Sequence, residues 1–278
     1  MKVRILYILL GVFIAAVVVS AIGLGYELFT NKKAQSYYTS LTENIVPRPR
    51  TPVEYKQPTA IPSQTLPPDV EDISGDENTE PPGPTEPVQP QWVPYVDFYA
   101  LEESLPGISA WIKLENTALD YPIMQGADNN YYLSYLPDGT KHRNGSVFLD
   151  YRNAADFSDK NTLIYGHESR TGDMFGILKS YRKQSFYEEN PVIHIYTPEK
   201  DFTLVLVAGY LVDSGIESPP IVFNSETDFL EHVETVKKRS FFNSSVEVNE
   251  DDRLVSLCTC AYDYVNARLV IVGKLVEY

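Results

Sequence analysis

Cysteine and histidine are scarce in this chain, which restricts the chemistry available to it. Of 278 residues only two are cysteines, Cys258 and Cys260, and only four are histidines. Two cysteines cannot build the disulfide network of many small secreted domains. On an extended strand, residues two apart have Cα atoms roughly 6.6 Å apart, at the far edge of what a disulfide tolerates. A bridge between them is an open alternative, and the isolated pair is only a weak indication of a metal site.

Basic side chains are also few. The chain has 23 Lys and Arg against 38 Asp and Glu, a formal net charge of −15. No cluster of basic residues forms a stripe that could follow a phosphate backbone, which argues against nucleic acid as a partner. The acidity itself indicates solubility and says nothing of a substrate. Apolar residues make up 43% of the chain, enough for a core, and its 20 tyrosines favour a β-rich domain.

Charge is missing altogether from Ile5 to Gly25, an apolar run preceded by Lys2 and Arg4. About 20 such residues span a bilayer, and the positive-inside rule keeps the basic end in the cytoplasm. The sequence therefore predicts a cytoplasmic tip at residues 1–4, a transmembrane anchor at 5–25 and an extracellular remainder. The alternative is a cleaved signal peptide, which has a shorter apolar region, and Ala21-Ile22-Gly23 is a poor cleavage site.

A second change of composition follows the anchor. A polar stretch from Glu27 to Val46 has a composition compatible with a helix, and 13 of the chain's 20 prolines lie between Pro47 and Pro94. Such a Pro-rich and acidic segment buries too little apolar surface to fold. We expect residues 26–94 to be a disordered extracellular tether, whose Pro-rich part, residues 47–94, has a reach of up to about 150 Å at roughly 3.1 Å per residue. The folded domain is predicted from residue 95 to 278.

Within that domain, short β-branched and aromatic runs predict about eight strands and few helices. The pattern favours a mainly β fold, a closed or nearly closed barrel with peripheral helices, and a β-sandwich is the alternative. The predicted helices are Asp97–Leu105, Asp173–Tyr181 and Thr227–Lys238. The predicted strands are Ala110–Leu114, Leu119–Met124, Ser146–Asp150, Thr162–Tyr165, Val192–Tyr196, Phe202–Val212, Leu254–Thr259 and Arg268–Val276.

A candidate nucleophile, Cys260, ends one of these strands beside a turn. Taken alone, a free cysteine is more often an inert core residue. Among the histidines, His142 is interpreted as exposed in a charged loop, His194 as packed in a strand and His232 as exposed on a helix. His167 follows the strand Asn161-Thr-Leu-Ile-Tyr165 and opens a loop. That position suits general acid–base catalysis, although an exposed loop histidine fits as well.

Arg268 is the third candidate. It begins the last strand eight residues after Cys260, so it returns close to that cysteine if the two strands pair. Its guanidinium is permanently charged and offers several donors to an oxyanion. By spacing alone, a surface arginine at a strand end is the simpler interpretation.

Several motifs together resemble one family. The strand Val255-Ser-Leu-Cys-Thr-Cys260, followed by Arg268-Leu-Val-Ile-Val-Gly-Lys-Leu275, resembles the sortase signature. The segment Asn161-Thr-Leu-Ile-Tyr-Gly-His167, with Met174-Phe-Gly-Ile-Leu178, resembles the sortase histidine segment. Further segments resemble class B sortases, as does a helix ahead of the cysteine strand: Trp111-Ile-Lys-Leu114, Asp120-Tyr-Pro-Ile-Met-Gln-Gly126, Asp128-Asn-Asn-Tyr-Tyr-Leu133 and Gly145-Ser-Val-Phe-Leu-Asp-Tyr-Arg-Asn153.

The resemblance implies a sortase-type barrel and a transpeptidase with His167, Cys260 and Arg268 as its catalytic residues. Its substrates would be secreted proteins bearing a C-terminal sorting signal like Asn-Pro-x-Thr, and its acceptor an amine of a peptidoglycan precursor. It implies no metal or organic cofactor. Asn129 and Thr259 match positions that line the class B pocket, and Cys258 is taken as a further substrate contact.

Two departures from the family pattern concern the surroundings of the nucleophile. Cys258 stands where the family usually has serine, and Ala261 follows Cys260 where some relatives have a polar or acidic residue. For Cys258 packing is the commoner role, and redox protection of Cys260 is a further hypothesis. Three alternative functions remain open at this point: a cysteine peptidase that releases its product to water, a non-catalytic surface domain and a pilin-polymerising sortase.

Overall fold

The computed structural model describes residues 2–43, 96–169, 172–260 and 265–277, with only the backbone of Cys260. Most of the predicted tether, residues 44–94, lies outside this part of the chain. The helix α1 (Lys2–Thr42) includes the predicted anchor and continues through residues 26–42, which the sequence-based boundaries assign to the tether. This helix and residues 96–277 belong to one compact unit.

The first half of α1 is apolar on all its sides and is not covered by the rest of the protein. Large side chains such as Phe13, Val19 and Ile22 are more than 60% exposed. The helix is long and apolar enough to cross a membrane, with a mean hydropathy of 2.3 in its most apolar part. An apolar surface of this extent is unusual for a helix that faces water.

Eight strands form the predicted closed barrel, in the order β1-β2-β3-β4-β7-β8-β6-β5. Their β-branched and aromatic residues suit a pleated surface packed on both faces. The strands are β1 (Ile108–Lys113), β2 (Asp120–Gln125), β3 (Val147–Leu149), β4 (Asn161–Tyr165), β5 (Val192–Tyr196), β6 (Asp201–Asp213), β7 (Leu254–Cys260) and β8 (Ala267–Glu277).

The barrel is mixed in strand direction. The pairs β2–β3 and β4–β7 are parallel, whereas the other neighbours are antiparallel. The side chains of Trp111, Tyr196 and Phe202 are fully buried in the core, which also includes Val255 and Leu257 from β7. A second cluster, with Val270 and Cys258, lies on the outside of the barrel, where a helix spanning Glu226–Lys238 covers it.

The described part of the domain also contains three short α-helices, α2 (Phe98–Glu102), α3 (Gln184–Glu189) and α4 (Glu226–Lys238), the predicted helix ahead of the cysteine strand. A short 3-10 helix spans Tyr131–Leu133. The predicted helix Asp173–Tyr181 is instead a 3-10 helix, Phe175–Arg182. It begins after Met174, whose φ of 54° is in the left-handed region. A Cβ on Gly176 would lie 2.5 Å from the Ser169 carbonyl oxygen, so the first turn is wound tightly against the preceding loop.

Candidate active site

Strand topology brings the predicted catalytic residues to one end of the barrel. Parallel strands β4 and β7 have their carboxyl ends on the same side, and antiparallel β8 begins there. Tyr165 pairs with Cys258, and the Gly166 amide donates to the Cys258 carbonyl oxygen at 3.2 Å. Continued for two residues, this register places His167 level with Cys260, whose direct partner on the other side is Arg268.

A groove of about 290 Å³ lies at this end of the barrel. His167 and Arg268 line it, as do all three predicted substrate contacts, whereas the side chain of Cys260 lies outside the described residues. The groove is lined by Asn129, Leu133, Phe148, Tyr165, Gly166, His167, Cys258, Thr259 and Arg268. Its mixture of apolar walls and a few polar groups is typical of a ligand site.

The ring of His167 is held by a backbone carbonyl. Its Nε2 lies 2.8 Å from the Leu133 carbonyl oxygen. Because that oxygen can only accept, Nε2 carries a proton and Nδ1 is the basic nitrogen of the neutral ring. The His167 carbonyl oxygen accepts from the Phe175 amide at 3.0 Å, which fixes the backbone of the loop as well.

Two local features position the histidine and its carbonyl partner. A Cβ on Gly166 would lie 2.8 Å from the ring of Phe175, so only glycine permits this close approach. On the opposite wall, Asp128 Oδ1 accepts from the amides of Asn130 and Tyr131, at 2.7 and 3.0 Å, and so fixes the turn that leads to Leu133. These hydrogen bonds lower the pKa of Asp128, which keeps the turn anchored by a charged group.

Arg268 is half-buried at the start of β8, and its Nη1 donates to the Ala267 carbonyl oxygen at 3.1 Å. A guanidinium has five N–H donors in a planar fork. This hydrogen bond uses one of them, and the Arg268 side chain lines the groove. The site therefore contains a permanent positive charge directly across from the Cys260 backbone.

The three predicted substrate contacts have different surroundings. Asn129 is half-buried; its Nδ2 donates to Asp150 Oδ2 at 2.9 Å and its Oδ1 accepts from the Tyr151 amide at 3.1 Å. Cys258 is 5% exposed, and Thr259 is 2% exposed with an Oγ1 that has no hydrogen-bond partner among the described residues. Alternation along β7 puts Cys258 on the same face as Cys260 and Thr259 on the opposite face. Cys258 and Thr259 therefore line the groove from opposite faces of the strand.

The thiol of Cys258 is protonated at neutral pH. Burial raises its pKa to about 12, with a further contribution from Asp150, and Arg268 acts in the opposite direction. Its Sγ lies 3.7 Å from the Ser256 carbonyl oxygen, a weak hydrogen bond. Cys258 therefore contributes packing and a weak donor to the groove, and not a second nucleophile.

Asp150 is a functional candidate that the sequence reasoning missed. Its side chain is fully buried and accepts hydrogen bonds from two groove residues, Asn129 at 2.9 Å and Tyr165 at 3.0 Å. Arg152 adds a bidentate pair at 2.9 and 2.8 Å. Burial acts to raise the Asp150 pKa, but these hydrogen bonds outweigh it and lower the pKa to about 2. The signal available in the sequence was a carboxylate closing an apolar strand two residues before an arginine.

The other histidines lie outside this groove. His142 is buried, not exposed as predicted, because α1 covers its loop; its Nδ1 accepts from the Asn144 amide at 3.2 Å. His232 is half-buried on α4, not exposed as predicted, and burial lowers its pKa. His194 lies within β5, as predicted. Within the described ranges, no group of three or more His, Cys, Asp or Glu side chains could hold a metal ion.

Comparison with known proteins identifies the family. A sortase domain model matches residues 112–276. Sortase B of Listeria monocytogenes is 36% identical over 182 residues, which cover 65% of this chain and 73% of that protein. Sortase B of Staphylococcus aureus is 34% identical over 182 residues, covering 65% of this chain and 75% of that protein.

Solved structures agree with the sequence likeness. The Staphylococcus aureus sortase B–substrate complex is similar with a TM-score of 0.62 and 33% identity, over 65% of this chain and 84% of that one. The Clostridium perfringens sortase B structure is similar with a TM-score of 0.61 and 31% identity, over 64% of this chain and 99% of that one. By its barrel, its motifs and these likenesses, the chain belongs to the sortase family of cysteine transpeptidases, as a class B sortase.

Proposed function

We propose that this enzyme cleaves an Asn-Pro-x-Thr-like C-terminal sorting signal after its threonine and transfers the protein to a cell-wall amine through a Cys260 thioester. The observation that carries the proposal is the meeting of three strand ends at one groove: β4 leading to His167, β7 ending at Cys260 and β8 beginning at Arg268. This arrangement supplies a nucleophile, an acid–base group and a cation within one site.

In the first half-reaction, the Cys260 thiolate attacks the threonine carbonyl carbon and a C–S bond forms. Negative charge develops on the carbonyl oxygen, where the Arg268 guanidinium stabilises it. When the tetrahedral intermediate collapses, the C–N bond breaks and protonated His167 gives a proton to the departing amine. The Leu133 carbonyl supports this role because it accepts from Nε2 in both the neutral and the charged ring.

In the second half-reaction, an acceptor amine attacks the thioester. Neutral His167 takes a proton from the amine, the new C–N bond forms and Cys260 leaves as thiolate. The net change is one peptide bond exchanged for another, with no oxidation or reduction. Water in place of the amine would release the free acid, so the groove must favour the amine.

We further propose that α1 anchors the enzyme in the plasma membrane, with its N-terminus in the cytoplasm and the barrel outside. Support comes from the exposed apolar surface of the helix and from Lys2 and Arg4 at its N-terminal end. The partners in this proposal are secreted proteins that carry the sorting signal and a peptidoglycan precursor that carries the amine. Both are accessible at the outer face of the membrane.

Intact mass spectrometry of the full chain in detergent tests the reaction. The chain is incubated with a panel of Asn-Pro-x-Thr peptides, with and without an amine acceptor, beside Cys260→Ala and His167→Ala. We expect an acyl adduct on the wild type alone, converted to an amine-linked product when the acceptor is added. Loss of the general acid should lower turnover on the order of 10²–10⁴-fold.

Other outcomes would indicate other functions. Product released to water regardless of the amine would identify a cysteine peptidase. A preference for a lysine side chain of a second client protein would identify a pilin-polymerising enzyme. An absence of adduct with every peptide would contradict the proposed signal, and a non-catalytic barrel would then be the better description.

A further inference from the structure

The C-terminal half of α1 is not free of the barrel. Its residues Ala34, Tyr38 and Leu41 are each less than 10% exposed and belong to the same hydrophobic cluster as the barrel core. These positions are spaced four and three residues apart, so they form one stripe along the helix. Because these three side chains are buried in the barrel's own core cluster, this half of the helix is packed against the barrel.

Directional contacts fix how this stripe lies on the barrel. The Tyr38 hydroxyl donates to the Gly145 carbonyl oxygen at 3.2 Å, and its ring meets the ring of Tyr121 edge-on at 4.9 Å. Near the start of the docked half, Arg143 forms an ion pair with Glu27. The barrel is therefore in contact with the helix from two residues beyond the apolar run onward.

The other end of the Pro-rich segment is also attached to the barrel. Val96 is fully buried, and Phe98 and Leu101 of α2 lie in the same core cluster. Residues 44–95 therefore connect two elements that both pack on one compact unit. A segment connected in this way does not set the distance between the anchor and the barrel.

We propose that α1 itself holds the barrel against the outer membrane face, so that this helix, and not the length of residues 44–95, sets the distance between membrane and barrel. The proposal rests on the proposed anchoring role of α1. From Gly25 to Tyr38 the helix rises about 20 Å at 1.5 Å per residue, against the roughly 150 Å that an extended spacer would allow.

Cleavage inside the Pro-rich segment separates the two arrangements. A site for a specific protease is inserted between Val70 and Glu71 of the full chain, which is reconstituted in liposomes, cleaved and sedimented. We expect the fragment 71–278 to remain with the membrane. Ala34→Arg, which places a charge in the buried stripe, should release it, whereas Ser40→Arg on the exposed face of the same helix should not.

A cross-link makes the result independent of how tightly the cut fragment binds. Cysteines replace Glu27 and Arg143 in a Cys260→Ser background, and a short bis-maleimide is added before cleavage. Both fragments should then run as one band on a denaturing gel, and each single-cysteine variant should give two bands. Separate fragments from the fully labelled double variant would overturn the proposal, whatever the sedimentation result.

The controls distinguish the possible failures. If the uncut chain does not sediment with liposomes, the anchoring proposal has failed and docking is judged by the cross-link alone. If Ala34→Arg loses peptide transfer activity or its circular dichroism signature, Leu41→Asp replaces it. Release of the wild-type fragment to the same extent as the Ala34→Arg fragment, without cross-linking, would restore the spacer interpretation.

Discussion

At the scale of single residues, Asp150 shows how a buried charge can organise a substrate groove. It holds the Asn129 amide and the Tyr165 hydroxyl on the groove side and Arg152 on the other. Asp150→Asn should destabilise the fold by about 2 kcal/mol, because charge-assisted hydrogen bonds become neutral ones. It should also raise KM for the signal peptide, because Asn129 loses its fixed orientation. Urea denaturation and steady-state peptide kinetics measure the two effects.

A matched control lies on the same connection between β3 and β4. Asp159 holds the Asn153 amide at 2.7 Å in the same manner, but neither residue lines the groove. Asp159→Asn should therefore lower stability without changing KM. Equal changes of KM in both variants would mean that Asp150 acts only on the stability of the loop.

The lowered pKa of Asp150 also predicts a pH dependence. Its folded-state pKa of about 2 lies below the usual aspartate value of 3.8. The charged form therefore stabilises the fold above about pH 4, and this stabilisation is lost as pH falls through about 2. Between about pH 5 and pH 3, the unfolding free energy of Asp150→Asn should fall less steeply than that of the wild type in urea titrations.

Cys258 and Cys260 should differ in reactivity although they lie on one face of β7. With a pKa of about 12 and little exposure, Cys258 should resist alkylation at pH 8 in the folded protein. Iodoacetamide should alkylate Cys260 alone in the folded protein and both cysteines after denaturation, as measured by peptide mass spectrometry. Cys258→Ser should retain activity. A mass lower by two hydrogens after air oxidation would instead support the redox hypothesis.

At the scale of elements, the strands were the most predictable part, because β-branched and aromatic runs bounded by turn residues have few other uses. The strand Val192–Tyr196 has the predicted bounds, and the others differ by one or two residues at their ends. The segment after His167 was harder. Its apolar spacing suits an α-helix, but the Met174 amide donates to the Tyr121 hydroxyl, 53 residues earlier, and Gly176 packs against the Ser169 carbonyl of the preceding loop.

The helix α4 gives a prediction of its own. Ser225 caps it, since its Oγ accepts from the Asp228 amide at 3.1 Å. Ser225→Ala should lower the unfolding free energy by about 1 kcal/mol. Thr235→Ala on the same helix is the control, because that hydroxyl only donates back to the Glu231 carbonyl oxygen at 2.8 Å. This change should be close to neutral, and an equal loss in both variants would contradict a capping role.

At the scale of the whole molecule, the docked half of α1 should contribute to the stability of the barrel. Removing this half of the helix exposes the barrel surface that it covers, which includes Tyr121 and Gly145. A protein of residues 96–278 should be less stable than one of residues 26–278 by about 3 kcal/mol, the order expected for uncovering an alanine, a tyrosine and a leucine. Urea midpoints measure the difference, and equal midpoints would indicate that the helix contact adds nothing.

Much of the assembled site could be predicted from sequence, since the motifs around His167, Cys260 and Arg268 follow the strand ends that the structure brings together. The docking of α1 on the barrel was not predicted. The stripe Ala34, Tyr38 and Leu41 was present as a signal, but the polar residues between them suggested a solvated segment. The burial of His142 was missed for the same reason, since its cover comes from a helix about 100 residues earlier in the chain.

The pairing of β7 and β8 between β4 and β6 has a consequence for dividing the enzyme. The histidine belongs to the part of the chain before β6 ends, and the cysteine and arginine to the hairpin after α4. A break near Ile216, which is 86% exposed, would yield two polypeptides, each with an incomplete set of reacting groups. If the two halves are fused to two proteins that associate, they should become active only when those proteins bind each other. The peptide that they join covalently to the acceptor would remain after the two proteins dissociate.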